Sequence, residues 1–326
     1  MLKAIKCNHT NSLVHFTQQI LSTFMSINAQ WKQRNVCFLV LNERNDMIAE
    51  KTNDGIKITG VSGLSLPETL DCGQCFRWKP DENGNWRGAV QGVCRSIRQE
   101  KDGITIIGAD EKEFSSVWYD YFDFGRDYDA LKAEFAECEI LHEACEFAPG
   151  IRVLHQEPWE AFITFIISQN NNITRIKGIV ERICAAFGDE IEEGIYAFPT
   201  PSRLSAAAAE EFAKLGCGYR AEYLVCAARE IESGKLDLEA LAKEPTAEAR
   251  RRLLEVHGIG PKVADCVLLY GLGKTDCCPA DVWMKRVIST LGGSMPACVT
   301  DYAGIAQQFL FHYARNFPEK FIQAKE

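Results

Sequence analysis

The sequence predicts an α+β fold, an N-terminal antiparallel β-sheet lobe followed by a larger all-α lobe. Three observations carry that expectation. Between about 55 and 110, short apolar alternations such as Ile56-Lys-Ile58 and Ile104-Thr-Ile-Ile107 are separated by the turn-forming stretches Asp81-Glu-Asn-Gly84 and Lys101-Asp-Gly103. From about 128 the apolar spacing becomes helical and stays so. Within that second half, residues 159–167 are almost continuously apolar, as suits a helix buried on every side.

The same reading divides the chain. Residues 1–46 show no clean periodicity and no cleavage-site pattern, and Met47 reads as a start of the patterned chain; 1–46 is then a dispensable extension or an upstream start-site artefact. A sheet domain takes 47–127 and a helical domain 128–326, with further helices expected over 176–187, 206–215, 223–232 and 302–314.

Composition sets outer limits. At 326 residues with 46% hydrophobic content, the chain can bury a substantial core. A formal net charge of −9 argues against non-specific adhesion to nucleic acid. Contact with a polyanion would have to come from local clusters: Arg250-Arg251-Arg252, Lys274, Lys285-Arg286, Arg175 with Lys177, and Arg220. Most such cations are ordinary solvated helix charges, so only a subset need face any polyanion. The 14 cysteines are scattered and no secretory signal is visible, which points to a reducing cytoplasm rather than a disulfide scaffold. No apolar run is long enough to span a bilayer, so no membrane partner is expected. Cys72-Gly-Gln-Cys75 has redox or zinc spacing, but no second Cys or His pair at zinc-finger spacing accompanies it.

The stretch richest in chemistry is His257-Gly-Ile-Gly-Pro-Lys262-Val-Ala-Asp-Cys266, followed by Pro279-Ala-Asp281-Val-Trp283. Residues 246–256 are rich in helix formers, and Gly258 stands where a left-handed helix cap is needed. Pro261 loses no hydrogen bond at a first helical position. The unit 246–272 therefore reads as helix, hairpin, helix. Free N–H groups from Gly260 to Val263 can face a phosphate, a contact blind to base sequence. Gly-x-Gly alone fits an ordinary helical turn equally well; Lys262, Cys266 and Asp281 at these spacings favour the functional reading. Asp281, before Val-Trp-Met-Lys-Arg, is also a good helix N-cap. Lys262 and Cys266, four residues apart, share one helix face, as do Gln307 and Phe311.

Four more stretches complete a pattern: Gly73-Gln-Cys-Phe-Arg77-Trp78, Ser168-Gln-Asn170-Asn171-Asn172-Ile-Thr-Arg175, Leu215-Gly-Cys-Gly-Tyr219-Arg220-Ala221 and Gly304-Ile-Ala-Gln307-Gln-Phe-Leu-Phe311. In this order, over roughly 55–315, the chain resembles the 8-oxoguanine DNA glycosylase/AP lyase family of helix-hairpin-helix glycosylases. The resemblance implies a base-excision repair enzyme acting as a monomer on double-stranded DNA, cytoplasmic and nucleoid-associated if bacterial. It flips the damaged base out of the stack, because the glycosidic bond is unreachable inside the duplex. Lys262 would attack the sugar C1′ and become a Schiff base, and the abasic strand would be cut by β-elimination. A free amine is needed, and desolvation with the positive end of its own helix would disfavour the ammonium form. Otherwise Lys262 is a phosphate-contacting cation. Asp281 would stabilise charge on the sugar.

The resemblance assigns the remaining positions too. Cys266 and Phe311 would sandwich the base and Gln307 would read its Watson–Crick edge; as plain residues, Cys266 and Phe311 are core. The Gly73 carbonyl would accept from the N7–H that 8-oxoguanine has and guanine lacks. Asn170 would fill the gap in the duplex with Tyr219 wedged beside it, while Arg175 and Arg220 would donate to an opposite cytosine; each arginine alone also fits a surface ion pair, and the asparagines a polar turn. His257, Gly258, Gly260, Val263 and Trp283 would meet the DNA backbone. Trp283 stands where family members often have histidine, and tryptophan cannot become cationic. No redox cofactor is required. A monovalent cation on the carbonyls of Leu254, Val256 and Ile259 is implied, whereas an iron–sulfur cluster is not, since only Cys298 follows Asp281. Two other readings stay open: a helix-hairpin-helix glycosylase for another damaged purine, against which Lys262 counts, and a non-catalytic lesion-binding module.

Overall fold

The structure, a computed structural model, describes residues 38–41 and 47–321. Seven strands form one antiparallel sheet: β1 (Phe38–Leu41), β2 (Ile48–Lys51), β3 (Gly55–Thr59), β4 (Lys79–Pro80), β5 (Trp86–Val90), β6 (Val93–Glu100) and β7 (Gly103–Ile107), in the order β1-β2-β3-β7-β6-β5-β4. The expected alternations lie in β3 and β7, which pair directly, Ile56 opposite Ile106 and Ile58 opposite Ile104. These four isoleucines are fully buried, because period-two alternation sends them to one face. β5 and β6 are joined at Gln91 and Gly92, both at positive φ (49° and 78°), the primed turn that matches strand twist. β1 pairs along β2 at the sheet edge, inside the stretch 1–46 set apart as an extension; the rest of that stretch lies outside the described residues.

The helical lobe begins where its spacing predicts. After α1 (Leu66–Leu70), which interrupts the sheet sequence, come α2 (Tyr128–Phe135), α3 (Glu139–Phe147), α4 (Pro158–Ile167), α5 (Ile173–Phe187), α6 (Ala221–Glu232), α7 (Thr246–Leu254), α8 (Pro261–Cys266), α9 (Val282–Thr290) and α10 (Ala303–Asn316), with shorter helical turns between them. Every residue of α4 from Ala161 to Ile167 is buried, as its unbroken apolar run requires.

Three expectations need correction. Helical turns already occupy Glu111–Glu113, Phe114–Trp118 and Tyr119–Tyr121, where aromatic residues cover the sheet; Phe114, Trp118 and Phe122 are fully buried there. The single helix over 206–215 is two, Pro201–Ala206 and Ala209–Lys214, because the Glu211 carboxylate accepts from the Ala208 N–H (2.8 Å) and starts a new helix. The helical lobe also carries a two-stranded ribbon, Glu190–Glu192 with Ile195–Tyr196, turned at Gly194 (φ 72°).

The lobes are bolted together by the Gly73-Gln-Cys-Phe-Arg77-Trp78 stretch. Gln74 is completely buried; its Nε2 donates to the carbonyls of Thr69 (2.8 Å) and Arg152 (2.7 Å), and its Oε1 accepts from Leu154 N–H (2.8 Å). Arg77 reaches Glu160 of α4 at 3.2 Å. A fully bonded buried amide tolerates no shift, so Gly73 beside it is held firmly.

Candidate active site

Between α7 and α8 the chain reverses at Gly258, whose φ of 87° suits glycine alone; a Cβ there would also lie 2.2 Å from the Tyr223 ring. Gly260 then caps α8 without any side-chain bond, and nothing stands within 4 Å of where its Cβ would be. With Pro261 opening the helix, the first N–H groups of α8 are left to the outside. Arg250 of α7 pairs with Asp265 of α8 at 2.6 Å and holds the two helices together. The basic run is spent at home: Arg251 pairs with Glu248 and Glu255, Arg252 with Glu244, and Lys274 donates to the Ala242 and Glu244 carbonyls. Those residues are charges held by local partners, as most of the basic clusters are expected to be.

The hairpin forms one wall of an open cleft of about 690 Å³. Gly73, Asn170, Gly260, Lys262, Val263, Asp281, Trp283 and Phe311 all line it, although they come from parts of the chain more than 200 residues apart. Lys262, half-buried on the first turn of α8, donates to Ser168 Oγ (2.9 Å), with its Nζ 5.5 Å from the Phe165 ring centre. One turn on, Cys266 is buried; burial pushes its thiol up to about 11, and the neighbouring Lys262 pulls only partly against this. A neutral thiol beside the amine adds no competing charge. Asp281 is the N-cap of α9, its carboxylate accepting from Met284 N–H (2.9 Å), so the cap also sets the carboxylate's direction within the cleft.

Gly73, at φ 93°, closes the other side. A Cβ there would come within 2.9 Å of Ile173 and 3.4 Å of Phe311, so glycine lets the main chain and the Phe311 ring share one wall. At the lip, Asn170 adopts φ 46° and its amide donates to the Tyr219 hydroxyl (3.0 Å). Both side chains are exposed, Tyr219 at 52%.

Family models match nearly this whole assembly. The 8-oxoguanine DNA glycosylase N-terminal domain matches residues 57–162, and the HhH-GPD superfamily base excision DNA repair protein matches 163–302. The chain belongs to the 8-oxoguanine DNA glycosylase family. It is 34% identical to an N-glycosylase/DNA lyase of Saccharomyces cerevisiae, over 69% of this chain and 68% of the yeast protein. To the N-glycosylase/DNA lyase OGG1 of Arabidopsis thaliana it is 32% identical over 78% of each chain. Among solved structures, a Clostridium acetobutylicum 8-oxoguanine glycosylase/lyase, in complex with duplex DNA containing cytosine opposite 8-oxoguanine, superposes with a TM-score of 0.78 at 33% identity. It covers 83% of this chain and 98% of that one. A structure of MBOgg1 with a low-affinity DNA ligand gives 0.79 at 37% identity, covering 83% and 99%. This glycosylase is thus a bifunctional DNA glycosylase and lyase of base-excision repair.

Several expected site residues of the glycosylase sit elsewhere than in the cleft lining. Arg220, expected as a donor to the opposite base, is only 4% exposed. Its guanidinium donates to the carbonyls of Gln169 (2.7 Å), Asn170 (3.0 Å) and Cys217 (3.2 Å) and lies 4.5 Å from the Tyr219 ring centre. It shapes the Asn170–Tyr219 lip from beneath, because a charged guanidinium bonding the Gln169 and Asn170 carbonyls together fixes the main chain there. Gln307 is buried at 3% and accepts from the Tyr270 hydroxyl (3.3 Å). Arg175 is exposed, with no side-chain partner among the described residues. His257 is exposed too, its ring edge-on to Tyr223 at 5.1 Å. The Trp283 ring lies 4.9 Å beneath the Arg286 guanidinium, which brings a cation beside the aromatic residue. Sequence reasoning missed Ser168, Ile173 and Gln74 as site-builders; all three lie inside or beside quoted motifs, but their contacts span 94, 100 and about 80 residues. Cys72 and Cys75 are buried thiols, the first pushed up to about 12 by burial.

Proposed function

We propose that this glycosylase/lyase removes 8-oxoguanine from duplex DNA, preferably opposite cytosine, and that Lys262 carries both chemical steps. The observation that supports this most is the placement of the Lys262 amine in one cleft with Asp281, Gly73 and Phe311. With the nucleotide flipped into the cleft, the amine nitrogen bonds to C1′ as the glycosidic bond breaks. That bond's electron pair leaves with the base, which takes up a proton. Asp281 stabilises the positive charge that builds on the sugar. Ring opening with loss of a proton from nitrogen yields the C1′=N Schiff base. Loss of a proton from C2′ then expels the 3′ phosphate, and water releases the amine.

Gly73 supports the choice of base. At positive φ beside Phe311, its main chain can approach the purine edge, and an N7–H donor present only in the oxidised base is worth about 1–3 kcal/mol there. Arg175, exposed and without a side-chain partner among the described residues, would be a donor to cytosine O2 and N3. The Val256 carbonyl already accepts from Ile259 N–H (3.1 Å) and keeps a second lone pair; with Leu254 and Ile259 it would offer a monovalent cation neutral, hard oxygens at the hairpin. The protein would act as a monomer in the cytoplasm.

Borohydride trapping on duplex DNA with one 8-oxoguanine opposite cytosine tests the reading, with Lys262→Gln alongside. The parent should form a covalent adduct and the variant none, with weaker trapping when adenine stands opposite. Base release without any adduct would overturn the Schiff-base route in favour of Asp281-assisted hydrolysis, and equal rates opposite all four bases would remove the cytosine preference.

A further inference from the structure

The Lys262 side chain has four rotatable bonds and no rigidity of its own, yet its amine must stand within about 3–3.5 Å of C1′ with the lone pair aimed at it. Something in the cleft has to fix that direction. Ser168 caps the C-terminal end of α4, and its single hydroxyl proton is committed to the Phe165 carbonyl (2.7 Å). Toward Lys262 Nζ, 2.9 Å away, the oxygen can therefore only accept. The Phe165 ring, from the same turn of α4, lies 5.5 Å from the same nitrogen, and the buried Cys266 thiol flanks it from α8 itself.

We infer that Ser168 is a positioning residue for the nucleophile: it holds one N–H of Lys262 and so turns the amine's lone pair toward the open cleft. This rests on the reading of Lys262 as the nucleophile. A helix-capping serine with no such role needs only its bond to Phe165; it has no reason to present its oxygen to a side chain 94 residues away. The direction of the two bonds also matters. A hydroxyl that donated to Lys262 would occupy the very lone pair the reaction uses, and the Phe165 carbonyl prevents that by taking the proton.

The test is single-turnover borohydride trapping on 8-oxoguanine·cytosine duplex with the parent, Ser168→Ala and Ser168→Thr, together with lesion-DNA affinity for each. Ser168→Ala should trap about ten- to hundredfold more slowly with Kd unchanged. Ser168→Thr should restore most of the rate, because a threonine hydroxyl can bond the same carbonyl three residues back. If alanine unsettles the end of α4, Ser168→Val against Ser168→Thr repeats the comparison with matched shape, and valine should be the slow one. Trapping by the alanine or valine variant at the parental rate would overturn the inference. So would a loss of affinity as large as the loss of rate, or a threonine variant no faster than valine. Absence of any adduct with the parent would instead remove the Schiff-base reading itself and this inference with it.

Discussion

The hairpin at 246–266 and the lip formed by 168–172 with 217–220 flank one cleft, and they dispose of their polar groups in opposite ways. On the hairpin the arginine side chains are consumed by neighbouring carboxylates, while the main chain at Gly260 and the first N–H groups of α8 stay open. On the lip the main-chain carbonyls of Gln169 and Asn170 are consumed by the buried Arg220, while the side chains of Asn170 and Tyr219, bonded to each other, stay exposed. One region presents backbone and the other presents side chains. Backbone suits phosphates, which are the same at every nucleotide; side chains suit the bases, which differ. Lys262 and Asp281 stand between the two, each anchored by one hydrogen bond and otherwise facing the cleft.

The sharpest way to break this contrast is to exchange the fates of the two lip arginines. Arg220→Ala should cost about 2–4 kcal/mol of folding stability, because it strands the Gln169 and Asn170 carbonyls at once, and should lower activity opposite every base alike. Arg175→Ala should leave stability within about 0.5 kcal/mol while flattening opposite-base preference. Denaturant titration together with excision rates opposite each base separates them; stability loss at Arg175 and not at Arg220 would reverse the assignment. On the hairpin side, Gly258→Ala should destabilise by about 1–3 kcal/mol through its φ of 87° and its clash with Tyr223, and should weaken binding to undamaged duplex as well as to lesion DNA. Retention of parental melting and binding by this variant would mean the turn is not what shapes the phosphate wall. The smallest effect belongs to the cap between the regions. Asp281→Ala should lose about 1 kcal/mol of stability and Asp281→Asn almost none, since asparagine also accepts from Met284 N–H, yet both should lose excision. An asparagine variant with full activity would reduce Asp281 to a structural cap.

Much of this site is legible in the sequence because its parts obey local rules. Gly258 was marked by the need for a left-handed residue, Pro261 by its tolerance of a first helical turn, and Asp281 by its suitability as a cap; each appears in that role. Alternation in 56–58 and 104–107 was enough to place two core strands, though not to pair them. The break at Ala207–Ala208 was illegible because it turns on one carboxylate choosing a backbone N–H over water. Within Arg250–Arg252, helix-face spacing accounts for the pairs of Arg251 with Glu248 and Glu255, but not for Arg250–Asp265, which joins residues 15 apart across the hairpin.

What the sequence determined by itself was the fold class and the hairpin with its cap residues, since these follow from period and turn chemistry within short windows. Only the tertiary structure decided which polar groups are free to act. It turned Arg220 inward onto main-chain carbonyls and brought the Gln307 amide oxygen to the Tyr270 hydroxyl. It brought Gly73 against Phe311, and it placed Ser168 at the amine of Lys262. The physical reason is that a hydrogen-bonding group's role depends on its remaining capacity, and that is set by partners a chain brings together only when it folds.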